Sequence, residues 1–221
     1  DRKIYRRSVP YFFGSTPSPV LSFPMEAFSE NEIDAQTFEL IQKAFFSSRS
    51  YKKLQIDQVD MQGVYFNAIL KEPKITRIGN VLAGLSFTVV CDSPTAWAFP
   101  KTTTYSYTVP VVDSTVIFNN TSDDKYTYLY PALVITMNNL GGSISITNAD
   151  DSDRVSTFTG LSAGEVLTVN SSIQTISSST GLKRLSNFNK KFLRLSPNIN
   201  RLRIQGNISS IAMTTQFVSR R

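Results

Sequence analysis

Apolar residues in the first quarter of the chain repeat with the period of a helix. They fall at i, i+4, i+7, i+8, i+11 and i+12 and are Ile33, Thr37, Leu40, Ile41, Ala44 and Phe45. This spacing predicts one helix over about residues 30–46, with a capping box formed by Ser29 and Glu32 and an end near Ser47. We expect the apolar stripe of this helix to pack on a neighbouring sheet.

Most of the remaining chain alternates between apolar and polar residues, as strands do. The strand-like runs of the N-terminal half are residues 51–57, 64–71 and 81–92. Those of the C-terminal half are residues 114–119, 133–138, 143–147, 165–170, 192–195, 200–206 and 208–217. Many short strands separated by polar turns predict an antiparallel sandwich or jelly roll.

A polar stretch over residues 93–108 separates the two patterns. It follows the last strand-like run of the N-terminal half and is typical of a linker. We therefore expect two domains, namely residues 1–100, which are β-rich with one helix, and residues 101–221, which form an antiparallel β-sandwich. The predicted fold class is mostly β.

The chain contains no histidine, and this limits the catalytic mechanisms and metal sites that it can form. Histidine is the commonest general base and the commonest metal ligand, so Ser-His-Asp and Cys-His mechanisms are excluded within this chain. A Ser-Lys or carboxylate-pair enzyme remains open, but the sequence offers no such pair, no glycine-rich phosphate loop and no metal cluster. We predict no enzyme, no cofactor, and no catalytic, cofactor-binding or metal-binding residue.

The single cysteine, Cys91, cannot form an internal disulfide. It ends the apolar run 87–91, which predicts a buried strand position, and the lack of disulfides fits assembly in a reducing cytoplasm. No apolar run approaches the length of a membrane span, so we expect no membrane insertion. The chain begins at Asp1 rather than Met, which suggests upstream residues or processing.

Charge is concentrated at the C-terminal end, where residues 183–221 carry 9 basic and no acidic residues. Such a segment could be a nucleic-acid footprint. Its alternation instead favours a folded hairpin around residues 196–198 with solvated basic faces. In this interpretation Leu193, Leu195, Leu202 and Ile204 point inward, and Arg194, Arg201 and Arg203 face solvent or a neighbouring protein.

Two further motifs have a functional and an ordinary interpretation. Residues 148–153 offer several oxygen ligands for a hard cation, but they lack the EF-hand pattern, and a polar hairpin turn is favoured. Tyr126, Tyr128 and Tyr130 alternate on one face of a predicted strand. An exposed row could stack a sugar or a partner protein, whereas packing in the core is the favoured interpretation.

Two stretches of the sequence resemble a known family. Residues 51–56 (YKKLQI), 64–67 (VYFN) and 87–94 (FTVVCDSP), followed by Trp97, resemble in their order the N-terminal domain of siphophage distal tail proteins (Dit), a phage tail component family. Residues 181–195 (GLKRLSNFNKKFLRL), continuing through Pro197 and Asn200 to Gly206, are similar to the closing hairpin of that family.

The resemblance implies a structural protein of the virion tail that is assembled in the bacterial host cytoplasm. Residues 1–100 would form a hexameric ring, and residues 101–221 a galectin-like β-sandwich that points outward. The ring would join the tail tube to the baseplate and take part in host cell attachment. Implied partners are further copies of the chain, the tail tube protein, tail tip or hub proteins and receptor-binding proteins. Phage DNA would pass through the ring without sequence-specific binding.

Two departures from the family pattern affect this expectation. The closing turn is Pro197-Asn198 in place of the usual Pro-Gly, although asparagine tolerates the left-handed conformation. Family members also carry strands upstream of Asp1, so the ring-forming domain is expected to be incomplete at its start. A carbohydrate-binding β-sandwich adhesin is the alternative function, although the absence of histidine argues against a standard galectin-type sugar site. A hydrolase is a more remote alternative.

Overall fold

The structure is a computed structural model and describes residues 20–29, 33–79, 81–108 and 111–219. It divides into two compact units, Asp1–Ala96 and Trp97–Arg220, which are called the N-terminal unit and the C-terminal unit. Both consist mainly of antiparallel strands, and the described part holds one α-helix, so the predicted mostly-β fold class is confirmed. No helix in this part is long and apolar enough to cross a membrane.

The N-terminal unit is a sheet with one helix. Its elements are β1 (Ser22–Phe28), α1 (Ala35–Phe46), β2 (Lys52–Leu54), a 3-10 turn (Val59–Met61), β3 (Val64–Ile78) and β4 (Val81–Cys91). The strands pair in the order β1-β4-β3, and β2 pairs with β3 as well. Because β1 lies at the edge of the sheet, it can hold Pro24, which has no N–H to donate to a neighbouring strand.

The helix begins later than the sequence predicted. Asp34 is its N-cap, and the Thr37 N–H donates a 2.6 Å hydrogen bond to the Asp34 carboxylate. This hydrogen bond lowers the pKa of Asp34 below its ordinary value. The predicted cap was wrong because the Ser29 N–H instead donates to the Ala83 carbonyl, next to the pairing of β1 with β4. The predicted end near Ser47 is confirmed, since Ser47 is the C-cap.

The side of α1 that packs on the sheet differs from the predicted stripe. Phe38, Ile41 and Phe46 are half-buried, and the Phe46 ring lies 5.6 Å from that of Phe87 in an edge-on contact. Leu40 and Phe45, which the prediction placed inward, are 61% and 60% exposed. The helix carries more apolar residues than one face can hold, so two overlapping stripes satisfy the helical period and only packing selects one.

The core of the N-terminal unit is small. Its cluster of buried side chains consists of Val64, Phe66, Ala68, Val89, Cys91 and Ala96. Cys91 is buried as the sequence predicted, and this burial raises the pKa of its thiol. Beyond the bulge at Glu72, which has a φ of 55°, the β3–β4 hairpin is largely exposed. Among the described residues of this unit few side chains are fully buried, and so small a core gives limited stability by itself.

The C-terminal unit is an antiparallel β-sandwich, as predicted from the pattern of short strands. After β5 (Ala96–Ala98), where the units divide, it contains β6 (Lys101–Ser106), β7 (Val111–Asn120), β8 (Ala132–Met137), β9 (Gly142–Asn148), β10 (Arg154–Leu161), β11 (Val166–Asn170), β12 (Thr175–Ser178), a 3-10 turn (Arg184–Asn187), β13 (Asn198–Gly206), β14 (Ile208–Thr215) and β15 (Val218–Ser219). One sheet has the order β10-β9-β13-β7 and the other β12-β11-β8-β14-β6. Both contribute to one apolar core, which includes Ile135, Ile146, Leu167 and Ile204.

The polar stretch at residues 93–108 is not a free linker. Its second half forms β6, which pairs with β14 through a register that runs from Lys101↔Thr215 to Ser106↔Ser210. Thr102 and Thr214 face each other across this pair, and their hydroxyl oxygens are 2.8 Å apart. A polar strand of this kind is stable at the edge of a sheet, where one side meets water, and composition alone does not distinguish it from a linker.

The basic C-terminal segment is folded, and its predicted inward residues are confirmed. Leu193, Leu195, Leu202 and Ile204 are each at most 2% exposed. The predicted pairing was wrong, because β13 pairs with β7 and β9, whereas Leu195 forms an isolated bridge with Leu129. Asn198 takes up a φ of 71°, so asparagine does adopt the left-handed conformation at this turn.

A buried ion pair that the sequence did not predict ties the 3-10 turn to the sandwich. Arg184 donates hydrogen bonds of 2.8 and 2.6 Å to the two carboxylate oxygens of Glu165, whose side chain is fully buried. The carboxylate also accepts from the Ser178 hydroxyl at 2.6 Å and from the Ser162 N–H at 2.7 Å. Burial alone would raise the pKa of Glu165, but these hydrogen bonds outweigh it and lower the pKa to about 2.

This low pKa predicts that the C-terminal unit loses stability in acid. The pKa of Glu165 is about 2 in the folded chain, against an ordinary value of 4.5 for the unfolded one. The contribution of Glu165 is therefore complete above pH 4.5 and is lost as the pH falls toward 2, a loss of about 3 kcal/mol. Urea unfolding followed by the fluorescence of Trp97 at several pH values measures it. Equal pH dependence in the wild type and in Glu165→Gln would contradict the assignment.

Candidate functional site

The C-terminal unit carries a cleft of about 510 Å³ beside the loop of residues 121–131, which joins β7 to β8. We call it the tyrosine cleft. Its wall residues come from that loop and from the ends of neighbouring strands, and they include Trp97, Asn120, Asp124, Tyr128, Tyr130, Asn170, Thr214 and Gln216. A space of this size matches the range in which proteins hold small molecules or short segments of a polymer.

Hydrogen bonds hold the first part of the loop in place. The Asn120 side chain accepts from the Ser122 N–H at 3.1 Å and donates to the Ser196 carbonyl at 3.1 Å. The Asp123 N–H donates to the Val218 carbonyl at 2.9 Å. Asp124 then accepts hydrogen bonds from the Tyr126 N–H and the Thr127 hydroxyl, which closes a local turn. The tyrosines that follow are therefore presented by a fixed backbone.

In the second part of the loop, inward and outward side chains alternate as they do in a strand, although these residues do not form a strand. Leu129 and Leu195 exchange two backbone hydrogen bonds of 2.9 and 2.8 Å, and Leu129 packs on the sandwich core. Tyr128 and Tyr130, on either side of Leu129, point outward and line the cleft, while Tyr126 is 87% exposed. Packing of this tyrosine row in the core, which the sequence favoured, is therefore wrong, and the exposed row is confirmed.

Tyr128 is positioned by an ion pair. The Arg194 guanidinium lies 4.0 Å from the centre of the Tyr128 ring and donates hydrogen bonds of 2.7 and 3.0 Å to the Asp151 carboxylate. This carboxylate raises the pKa of Arg194, so the cation under the ring stays charged. Arg194 was predicted to face solvent or a partner, whereas its main contacts are within the chain. One face of the tyrosine is covered, and its remaining surface is left for the cleft.

One donor of a wall residue has no hydrogen-bond partner within the described part of the chain, namely the buried indole N–H of Trp97. Leaving a buried donor unpaired costs about 1–3 kcal/mol. The half-buried Asn170 side chain accepts from the Ser172 and Ile173 N–H groups at 3.1 and 3.3 Å.

The cleft carries little charge. Among the described residues, its titratable wall groups are the Asp124 carboxyl and the phenols of Tyr128 and Tyr130, and no lysine or arginine lines it. The described wall is therefore mainly aromatic and polar.

The acidic motif at residues 148–153 is the turn between β9 and β10, so the predicted hairpin turn is confirmed. Two of its three carboxylates pair with arginines, Asp150 with Arg201 at 2.6 Å and Asp151 with Arg194 at 2.7 Å. Within the described residues no group of three or more potential ligands is arranged to hold a metal ion. The motif stabilises the fold and orients Arg194.

The N-terminal unit has a second feature of interest, which is a set of exposed apolar side chains. They come from β1, α1, the 3-10 turn and the β3–β4 hairpin and are Phe28, Leu40, Phe45, Val59, Ile75 and Ile78. We call this set the exposed apolar residues of the N-terminal unit. Large apolar side chains gain free energy when another protein covers them. Among the described residues, this unit therefore has as many large exposed apolar side chains in this set as side chains in its buried cluster.

Sequence comparison gives two matches that together span most of the chain. A family model described as a phage tail protein N-terminal domain matches residues 1–93, and one described as a phage tail C-terminal domain matches residues 97–215. A search among curated proteins found no sequence that matches this chain.

Solved structures give a likeness in fold. The crystal structure of SPP1 Dit (gp 19.1), described as a paradigm of the hub adsorption apparatus in phages that infect Gram-positive bacteria, superposes with a TM-score of 0.67. The two chains are 13% identical, and the likeness covers 96% of this chain and 86% of that one. A chain of the phage P2 baseplate in its activated conformation with Ca gives a TM-score of 0.47 at 12% identity, covering 90% of this chain and 79% of that one.

The tyrosine cleft was missed as a site by the sequence, which predicted no binding residue. The row of Tyr126, Tyr128 and Tyr130 was the one available signal, because two of its members, Tyr128 and Tyr130, line the cleft. Trp97, Asn170 and Arg194 gave no signal, since they lie far from the row in sequence and only the folded sandwich brings them to it.

Proposed function

We propose, from the premise that this chain belongs to a family of phage tail proteins, that it is the structural hub of a tail tip or baseplate. The family membership confirms the resemblance that residues 51–97 and 181–206 suggested, and it makes the chain a component of the virion tail. In this proposal the N-terminal unit forms a hexameric ring that joins the tail tube to the baseplate or to receptor-binding proteins.

The observation that carries the proposal is the exposure of large apolar side chains on the N-terminal unit. Leu40 and Phe45 lie on the outer side of α1, and Ile75 and Ile78 on the far part of the β3–β4 hairpin. The buried cluster of this unit is small, so contacts with neighbouring subunits would supply the burial that it lacks. A closed ring of identical subunits covers such surfaces without leaving a free end.

The remaining parts of the proposal concern domains, partners and chemistry. The N-terminal unit is the ring-forming, tail-tube-like domain, and the C-terminal unit faces further baseplate or receptor-binding proteins. Assembly takes place in the bacterial host cytoplasm, and phage DNA passes through the ring. The role is structural, without catalysis. The likeness in fold to SPP1 Dit, which belongs to a hub adsorption apparatus, supports this assignment.

Mass measurement of the purified chain in solution tests the ring. Native mass spectrometry or light scattering should give about six times the 24.7 kDa of one chain, or a part of such a ring. The double variant Leu40→Ser with Phe45→Ser should shift the population to monomers while leaving the monomer folded, since both side chains are exposed within one chain.

The matched control is Leu140→Ser with Ile173→Ser, which removes two equally exposed apolar side chains from the C-terminal unit. This control should leave the oligomer intact. A wild-type chain that stays monomeric at micromolar concentration would contradict the ring and favour a monomeric adhesin. An oligomer that both double variants disrupt equally would remove the assignment of the interface to the N-terminal unit.

A further inference from the structure

We infer that the free edge of strand β7 in the C-terminal unit pairs with the same edge of a second copy of the chain. This pairing continues the sheet β10-β9-β13-β7 into the corresponding sheet of the second copy. The inference goes beyond the hub function, because it concerns a surface of the C-terminal unit and does not require the ring. It rests on the lack of protection of this edge and on the residues that face each other across it.

The two sheets of the sandwich have four edge strands, which differ in how they are protected. Along β10, Asn189 donates hydrogen bonds to the Thr157 carbonyl at 3.1 Å and to the Val155 carbonyl at 2.8 Å and so covers that edge. The edge strands β12 and β6 have only four and six residues. β7 has ten residues, and in the described part of the chain no strand lies beyond it. Proteins usually cover or interrupt such an edge, because its backbone attracts other strands.

The backbone of β7 presents N–H and C=O groups on its outer side. The Ala149 N–H donates to the Arg201 carbonyl at 3.0 Å, so the backbone groups of Arg201 point toward β9. Its neighbour on the other side, Ile117, therefore points its own N–H and C=O away from β13. Thr115 and Asn119 share this orientation, since they lie two positions away along the strand. Among the described residues no strand pairs with these groups.

One antiparallel register brings side chains of the same character together. With Ile117 on the two-fold axis, it faces Ile117 of the second copy, and Val116 faces Phe118 of the second copy. Thr115 then faces Asn119 of the second copy, so polar side chains meet polar ones. In this register each of the three outward-pointing residues donates one backbone hydrogen bond and accepts another. Facing pairs of this kind are what stabilises two strands of a sheet.

The neighbouring registers match less well. The axis must pass through a residue whose backbone groups point outward, so the alternatives are Thr115 and Asn119. An axis at Thr115 places Ile117 opposite Asp113, and an axis at Asn119 places it opposite Thr121. Both put the exposed isoleucine against a polar side chain, and the first also puts it against a charge. The register is therefore set by Ile117.

Exposure and charge favour a second copy as the occupant. Ile117 is 68% exposed, and the pairing covers part of its surface. Residues 114–120 (STVIFNN) contain no charged residue, so two edges approach without repulsion although each chain has a net charge of +6. Arg201, which lies beside Ile117 on β13, already pairs with Asp150 at 2.6 Å. The edge is thus neutral and complementary to itself.

Disulfide trapping with Ile117→Cys in the full chain tests the pairing. Two cysteines on the axis have Cα atoms about 5.5 Å apart, which a disulfide spans, and the native Cys91 is buried. Because one strand pair is a small contact, free chains pair weakly, and mild oxidation accumulates the paired form. We expect a disulfide-linked dimer of twice the 24.7 kDa of one chain.

Ile199→Cys is the matched control. Ile199 is 55% exposed on the neighbouring strand β13, next to Asn119. The spacing of residues and strands places it roughly 20 Å from its counterpart in the second copy, too far for a disulfide. It should therefore give at least about tenfold less dimer than Ile117→Cys. Thermal unfolding verifies that both variants stay folded, as expected for exposed side chains.

The register has its own test. A mixture of Thr115→Cys and Asn119→Cys chains should give mixed dimers, whereas each variant alone should give few, because the two positions face each other across the axis. Mixed dimers no more abundant than the dimers of either variant alone would contradict the register and with it the inference.

The same trapping in the Leu40→Ser with Phe45→Ser background makes the result independent of the ring. Cross-linking of Ile117→Cys in both backgrounds supports the pairing, whatever the mass of the wild type shows about the ring. Cross-linking that disappears in the double-variant background would overturn the inference, since the ring alone would then bring the cysteines together. Equal cross-linking of Ile117→Cys and Ile199→Cys would do so too. No cross-linking of Ile117→Cys would also overturn it and leave the edge to a strand of another tail protein.

Discussion

Leu195→Asp is expected to unfold the C-terminal unit. Leu195 is fully buried between the sheets, and its bridge to Leu129 holds the loop of the tyrosine cleft. Truncation of a buried leucine costs about 2–5 kcal/mol, and burial of an unpaired carboxylate adds several more. The sum approaches the whole stability of a typical domain, which is about 5–15 kcal/mol.

Limited trypsin digestion with mass spectrometry measures this effect. In the wild type, Arg201 and Arg203 lie in β13, which has a strand on both sides, so cleavage there should be slow. In Leu195→Asp both sites should be cut rapidly. Leu182→Asp is the matched control, because Leu182 lies directly before the basic segment and is 55% exposed, and it should digest as the wild type does. If Leu195→Asp stayed resistant, or if the wild type were cut readily at these arginines, the segment would not be core.

Glu165→Gln is expected to cost about 3–5 kcal/mol of unfolding free energy, the range found when one partner of a buried ion pair is removed. The substitution keeps the shape of the side chain but leaves the Arg184 guanidinium, which is almost entirely buried, without its counter-charge. Two hydrogen bonds from Arg184 and one from Ser178 would then point at a neutral amide. Urea unfolding of the C-terminal unit, followed by Trp97 fluorescence, gives the difference.

Asp150→Asn is the control for the loss of a carboxylate in an arginine pair. Its partner Arg201 is 61% exposed, and exposed pairs contribute little, so stability should hardly change. The double variant Glu165→Gln with Arg184→Gln should recover at least half of the loss, because it removes the unpaired cation. A loss in Glu165→Gln as small as that in Asp150→Asn would show that the buried pair does not hold the turn to the sandwich.

Local periodicity predicted much of the architecture because the direction of a side chain in a strand depends only on the position along the strand. Leu202 and Ile204 alternate with Arg201 and Arg203, and a core on one side of the sheet is enough to bury the leucine and isoleucine. This prediction held without knowledge of which strand lay alongside. The same alternation predicted the wrong neighbour for β13, which pairs with β7 and β9 and not with residues 192–195. Strand pairing depends on contacts between residues far apart in sequence.

Polar positions were the least predictable. Residues 101–106 have the composition of a linker, yet they form β6 because β14 offers an open edge for pairing. Ser29 has the spacing of a helix cap, yet its backbone is hydrogen-bonded to Ala83 next to β4, and Asp34 caps the helix instead. In both cases a tertiary contact outweighs a local preference that is weak by itself.

The sequence by itself determined the class of fold, the inward residues of the basic C-terminal segment and the absence of histidine chemistry, since these depend on composition and on nearest-neighbour spacing. Only the tertiary structure decided that Arg184 meets Glu165, that Arg194 lies under Tyr128, and that Trp97 and Asn170 line the same cleft as Tyr128 and Tyr130. The sequence around a charged or aromatic residue is the same whether its side chain is exposed to water or contacts another residue of the folded chain. Its role is set by the residues that the folded sheets bring within a few ångströms of it. Those residues lie 19 positions away in the pair of Arg184 with Glu165 and 43 positions away in the pair of Arg194 with Asp151.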